Sequence, residues 1–192
     1  MLSTSDFRKG MKVQIDGTPY LCTEMNFRKP GKGTALYECK LKNLLRNTVV
    51  ERTYRAGQTL EEADVVEFTA QYLYRQGEDY VFMNNQDYDQ YELTADQVGD
   101  AARFLKENMD CQVMTFNSQP IAVAAPNHVV LKVTQAEPAP KGNTATGVQK
   151  PVTLETDAEI LAPAFINEGD WLRVDTRTGE YVERTTAPAS EE

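Results

Sequence analysis

Histidine is nearly absent from this chain: His128 is the single one among 192 residues. Activation of a serine or cysteine nucleophile would therefore have one possible base. His128 stands beside Val129-Val130 at the start of a strand pattern, the setting of a structural or exposed histidine. Cysteine is scarce as well. Cys22, Cys39 and Cys111 are odd in number and show no C-x-x-C spacing, which favours neither a disulfide framework nor a zinc site. No apolar run approaches the ~20 residues that span a bilayer, and Met1 to Lys12 lacks the apolar core of a signal peptide. Gly31-Lys32 is not a P-loop, because Asn26 stands five positions before Gly31 and Gly33 replaces the Ser/Thr that would hold magnesium. The acidic pairs Glu61-Glu62 and Asp87/Asp89 read as solvated faces. These absences lead to an expectation of a soluble cytoplasmic protein that is not an enzyme and uses no metal or other cofactor.

What the chain does have is enough apolar residue to bury cores, 41% against 26% charged, so global disorder is not expected. Its net charge of −9 conceals a gradient. Met1 to Ala63 carries 11 Lys/Arg and 7 Asp/Glu; Asp64 to Asn127 carries 3 and 11; His128 to Glu192 carries 6 and 11. A basic head on an acidic body suits one local contact with a polyanion.

Alternation of apolar and polar residues dominates. Lys12 to Ile15 and Thr18 to Phe27 flank Asp16-Gly17, a hairpin signal. Ala35 to Leu41, Val49 to Tyr54, Val65 to Tyr74, Tyr80 to Met83, Cys111 to Phe116, Pro120 to Val123 and Val129 to Val133 continue the pattern. After a Pro-, Gly- and Thr-rich stretch from Glu137 to Pro151, either a linker or a long loop, come Val152 to Leu154, Glu159 to Leu161, Trp171 to Val174 and Tyr181 to Val182. One segment has helical period: Val98, Ala101, Ala102, Leu105 and Met109 share a face, and Thr94-Ala95-Asp96-Gln97 fits a capping box. The spacing predicts a mostly β chain of three tandem small barrels, residues 1–63, 64–127 and 128–192, with one short helix in the second and a frayed tail from about residue 186.

Lys29-Pro30-Gly31-Lys32-Gly33 lies between two strands and stands out. Pro30 and Gly31 suit the two central positions of a type II turn, whose second requires φ > 0. Lys32 is then a hairpin-tip cation between two residues without side chains, free to enter a narrow cavity. Arg28, Lys29, Lys40 and Lys42 add positive charge nearby, and lysine is a flexible point charge suited to RNA phosphates and easily acylated. The same composition also describes an ordinary charged hairpin tip.

Lys29 to Ala35 resembles the first-domain loop of bacterial translation elongation factor P. Pro163 to Tyr181, with Gly169-Asp170-Trp171 and Val174-Asp175-Thr176-Arg177-Thr178-Gly179-Glu180-Tyr181, resembles that family's C-terminal signature, and the resemblance runs through Tyr72-Leu73-Tyr74 and Phe82-Met83-Asn84-Asn85. It implies a KOW-like first domain and two OB-type domains in an elongated L. It also implies a monomer on the 70S ribosome between the peptidyl and exit sites, beside peptidyl-tRNA, promoting peptide-bond formation at consecutive prolines. Lys32 matches the lysine that a dedicated enzyme lengthens in many members, and Pro30, Gly31 and Gly33 match the residues that present it. A lysine at this position excludes the arginine-rhamnosylated subclass. Tyr181 and Arg184 match RNA-facing positions, and Gly142-Asn143-Thr144 matches a loop facing the exit-site codon.

Asn143 replaces the family's usual Asp, and Val152, Asp157 and Ala162 replace Ala, Gly and Val. Such departures leave room for a divergent member or paralogue. The competing function is a general OB-type single-strand RNA-binding module, stacking bases on Tyr72, Tyr74, Tyr80 and Phe82, although the acidity of that segment opposes it.

Overall fold

The computed structural model describes residues 1–138 and 147–189. Among the described residues strand accounts for 56% and helix for 7%, so the fold is mostly β, as the alternation predicts. Contacts divide it into two compact units, Met1–Phe68 with Val113–Ala122, and Thr69–Gln112 with the chain from Val123 onward.

The first sheet contains β1 (Leu2–Ser3), β2 (Lys12–Ile15), β3 (Thr18–Arg28), β4 (Leu36–Asn43), β5 (Val49–Arg55) and β6 (Thr59–Glu62), in the order β1-β6-β2-β3-β4-β5. Asp16 and Gly17 have φ of 51° and 74°, positive at both central positions as a type I′ turn requires, and they lock Ile15 opposite Thr18. Inward positions of the alternating strands supply the core: Val13, Cys22, Cys39, Leu41 and Tyr54 are buried with Phe7 and Met11. Phe7 packs edge-on against Tyr54 and Tyr37, at ring-centroid distances of 5.5 and 5.9 Å.

The second sheet contains β7 (Val65–Gln76), β8 (Asp79–Asn84), β9 (Gln90–Leu93), β10 (Asp110–Phe116) and β11 (Gln119–Ala124), in the order β11-β10-β7-β8-β9. The capping box forms: Gln97 N–H donates to Thr94 Oγ1 (3.4 Å), and Thr94 N–H donates to Gln97 Oε1 (2.9 Å). The helix it starts, α1 (Ala95–Val98), is a single turn. It does not run on through Met109 as the period suggested. Gly99 takes φ 57° and ψ −138°, a conformation open to glycine, and a short 3-10 segment (Gly99–Arg103) follows.

The third sheet contains β12 (His128–Ala136), β13 (Gln149–Leu154), β14 (Glu159–Pro163), β15 (Trp171–Asp175) and β16 (Glu180–Thr185), in the order β14-β13-β12-β15-β16. β14 also touches β16, so the sheet curls on itself. Its core takes every second residue of the strands: Val129, Leu131 and Val133, then Val152 and Leu154, Ile160 and Ala162, Leu172 and Val174. Phe104, from the segment after α1, is buried in this same core. Around it Arg103 Nη2 donates to Glu159 O (3.0 Å), Thr156 Oγ1 donates to Arg103 O (2.6 Å), and Lys106 pairs with Glu155 at 3.1 Å.

β12 and β13 pair antiparallel, with Ala136 opposite Val152 and Gln135 opposite Thr153. The stretch after Glu137 is thus a connection within the third sheet. β13 begins at Gln149, three residues earlier than the alternation suggested. Lys150 is buried there because its ammonium donates to Glu137 O (2.8 Å).

Candidate nucleic-acid interface

β3 and β4 form a long antiparallel hairpin whose last pair is Arg28 opposite Leu36. Beneath that pair Phe27 and Tyr37 pack with ring centroids 5.1 Å apart, and Arg28 Nε lies 3.4 Å from Glu38 Oε1. The far end is tied to β5, Ala56 N–H donating to Ala35 O (2.9 Å). On this braced stem residues 29–34 are all exposed, Lys32 included. Neither Lys29 nor Lys32 makes an ion pair or a side-chain hydrogen bond among the described residues. Gly31 and Gly33 bring no side chains, so neither sequence neighbour of Lys32 competes for its ammonium.

The turn differs in detail from the type II expectation. Gly31 does not have positive φ; Gly33 does, at 129°. A Cβ on Gly31 would meet open space, whereas on Gly33 it would sit 3.7 Å from Pro30 Cγ, an ordinary contact. Backbone conformation, not space, calls for glycine at position 33.

Lys40 and Lys42 stand further down the stem. Lys40 lies between two carboxylates from neighbouring strands, 2.8 Å from Glu24 Oε2 and 4.0 Å from Glu51 Oε1. Hydrogen bonding to Glu24 raises the Lys40 pKa and lowers that of Glu24. This face forms an open groove of about 340 Å³ lined by Glu24, Asn26, Glu38, Lys40, Glu51 and Thr53 among others. In it Lys40 is matched by Glu24 and Glu51, and Arg52 adds a second cation. Lys42 is half-buried on the same strand.

In the third sheet Arg184 is exposed, while Tyr181 packs against the core cluster rather than standing free. Gly142, Asn143 and Thr144 lie outside the described residues. His128 approaches one acid, Asp175, at 3.8 Å; that carboxylate is held by Arg177 at 2.7 Å. The aromatic platform considered for single-stranded RNA is split: Phe82 and Tyr72 are buried, with ring centroids 5.4 Å apart, Tyr80 is half-buried 6.0 Å from Tyr72, and Tyr74 is exposed. Two contacts of Arg184, with Phe165 and Asp170, had no counterpart in the sequence reading; the only hint was an aromatic and an acid flanking one turn.

Comparison with known proteins places this geometry. A solved structure, eukaryotic translation initiation factor 5A from Methanococcus jannaschii, superposes with a TM-score of 0.54 over 65% of this chain and 91% of its own, at 19% identity, which establishes likeness of fold. Residues 3–60 match the Elongation factor P (EF-P) KOW-like domain, 65–123 the Elongation factor P (EF-P) OB domain, and 129–184 the Elongation factor P, C-terminal family. Together these define a translation factor built from KOW-like and OB domains. Elongation factor P of Rhodopirellula baltica is 53% identical over 95% of this chain and 93% of its own length, and that of Syntrophus aciditrophicus 50% over 96% and 98%. The chain belongs to the elongation factor P family.

Proposed function

We propose that this translation factor binds the 70S ribosome between the peptidyl and exit sites and contacts peptidyl-tRNA. There it promotes peptide-bond formation at stalls such as consecutive prolines. It acts by placement rather than by bond-making chemistry, as a cytoplasmic monomer. Holding reactants in attack geometry can by itself accelerate a reaction by orders of magnitude. The observation that carries the reading is the Lys32 loop: an ammonium unpaired among the described residues, between two glycines on an exposed tip, raised on a stem braced by aromatic and ion-pair contacts. A dedicated enzyme lengthens Lys32, and the extended side chain approaches the CCA end of the tRNA. Gly142-Asn143-Thr144 faces the exit-site codon.

Translation of a proline run in a reconstituted system, with thermal melting of the same proteins, tests this. Lys32→Ala removes no packing, so stability should change by no more than about 0.5 kcal/mol. Rescue of proline-run synthesis should fall on the order of 100-fold, the cost of a misplaced positioning group, while co-sedimentation with ribosomes survives. Full rescue by folded Lys32→Ala refutes the role of this residue. The intact mass of the native protein should show an increment localised to Lys32.

A further inference from the structure

Arg184 lies with its Cζ 5.5 Å from the ring centroid of Phe165, and its Nη1 is 3.8 Å from Asp170 Oδ2. Both partners come from the turn between β14 and β15, and that turn has no slack. Ile166 is fully buried, and its N–H donates to Pro163 O (3.0 Å). Asn167 N–H donates to Asp170 Oδ2 (2.8 Å), and Asn167 Nδ2 donates to Phe165 O (3.2 Å). Val133 of β12 holds the other side, donating to Asp170 O (2.8 Å) and accepting from Gly169 N–H (2.9 Å). Yet Phe165 is 57% exposed and the Arg184 side chain 52% exposed. A single exposed ring needs no explanation. One that a fixed turn holds near a guanidinium, with a carboxylate 3.8 Å from Nη1, has a use in orienting that cation.

We infer that Phe165 and Asp170 are positioning residues that hold the Arg184 guanidinium as a platform, its outer face stacking an unpaired RNA base. The inference rests on the ribosome-binding reading above and adds the chemistry of one contact. A guanidinium plane backed by an aromatic ring offers a second flat face to a nucleobase. The Asp170 carboxylate beside Nη1 opposes a phosphate approaching the same N–H groups, so the open face, not the edge, is the binding element.

The test is affinity of the full chain for 70S ribosomes, with melting of each variant. Arg184→Ala and Arg184→Lys should each weaken binding about tenfold, since a stacked base is worth ~1–3 kcal/mol and lysine has no plane. Phe165→Leu, which keeps apolar volume but no π face, should weaken binding to within about threefold of Arg184→Ala, whereas Phe165→Tyr should bind as the native protein does. Phe165→Leu combined with Arg184→Ala should be no worse than Arg184→Ala alone. Native affinity in Phe165→Leu, full rescue by Arg184→Lys, or additive losses in the double variant would each overturn the inference while leaving ribosome binding intact. Should Phe165→Leu fold poorly, Arg184→Lys against Arg184→Ala still decides between plane and charge. Absence of ribosome binding by the native chain would instead remove the functional reading, and this inference with it.

Discussion

The two glycines that flank Lys32 should behave differently when a methyl group is added. Gly33 has φ +129°, a region that side-chain-bearing residues rarely enter, whereas Gly31 lacks positive φ and faces open space. Alanine at 31 therefore asks nothing of the loop. Alanine at 33 meets Pro30 Cγ at a comfortable 3.7 Å but must hold a disfavoured backbone conformation. Such residues cost about 1–3 kcal/mol when the surroundings enforce them. An exposed loop enforces little, so the chain should relax and populate the presented conformation less. At 1.4 kcal/mol per tenfold, that is a loss of about 5- to 140-fold in competent loop. Proline-run translation at sub-saturating factor reads this directly: Gly33→Ala should fall by that factor and Gly31→Ala should stay within about twofold of native. Melting should barely distinguish the two, because neither residue packs against the core. Equal damage from both substitutions, or full activity of Gly33→Ala, would refute the argument that backbone conformation at one glycine presents the lysine.

Other outcomes follow from packing and titration. Phe104→Ala empties a site 1% exposed in the third-sheet core and should cost about 3–5 kcal/mol, lowering the melting temperature by about 6–20 °C in a chain of this size; a loss below about 1 kcal/mol would contradict its place in that core. Burial pushes the thiols of Cys39 and Cys111 up to about 12 and raises that of Cys22 as well. The native protein should therefore resist a thiol-reactive disulfide at pH 8, while the unfolded chain reacts at all three cysteines. Hydrogen bonds from the Arg177 guanidinium, then from its backbone N–H, hold the Asp175 carboxyl well below the usual carboxylate range. A depressed folded pKa contributes stability above the unfolded value near ~3.9 that is lost as pH falls further. Asp175→Asn should flatten the melting profile below about pH 4 and change its shape little above pH 5.

Local signals survived into the structure where the physics is local. Asp16-Gly17 and Thr94 to Gln97 each specify a turn or cap through their own backbone and side chains, and both are present. The helical period from Val98 to Met109 misled because periodicity reports that residues are buried, not on which core. Phe104 and Met109 serve the third sheet, and Gly99 had already ended the helix. Lys40 looked like a free cation for a different reason. A bulge between Cys22 and Glu24 shifts the β3–β4 register and sets Glu24 directly opposite Lys40, a one-residue irregularity that alternation does not record. Tyr181 likewise sits beside a register shift, opposite Val174, which turns its ring to the core. Asp157 holds φ +64°, a region that glycine and aspartate enter more readily than most residues, so the glycine that the resemblance implies there would fit the same turn.

On the proposed function, the ion pairs of the stem bear on how the tip would meet RNA. A cation that already faces a carboxylate must give up that partner to neutralise a phosphate, so its net gain is small, and its share of the salt dependence shrinks with it. Arg28 is paired with Glu38, and Lys40 with Glu24 and Glu51. Among the described residues of the hairpin, no ion pair forms at Lys29 and Lys32, beyond the last strand pair, nor at the half-buried Lys42 near its base. The upper stem, where Arg28 and Lys40 face carboxylates, thus leaves the exposed tip as the stronger place for an anion. On the proposed ribosome-binding function this separation has a physical use. Cations along the sides would bind the walls on the way in, whereas charge confined to the tip favours the fully inserted position. Across the strands Lys40 joins Glu24 of β3 at 2.8 Å and lies 4.0 Å from Glu51 of β5, so its charge is shared with both neighbours of β4.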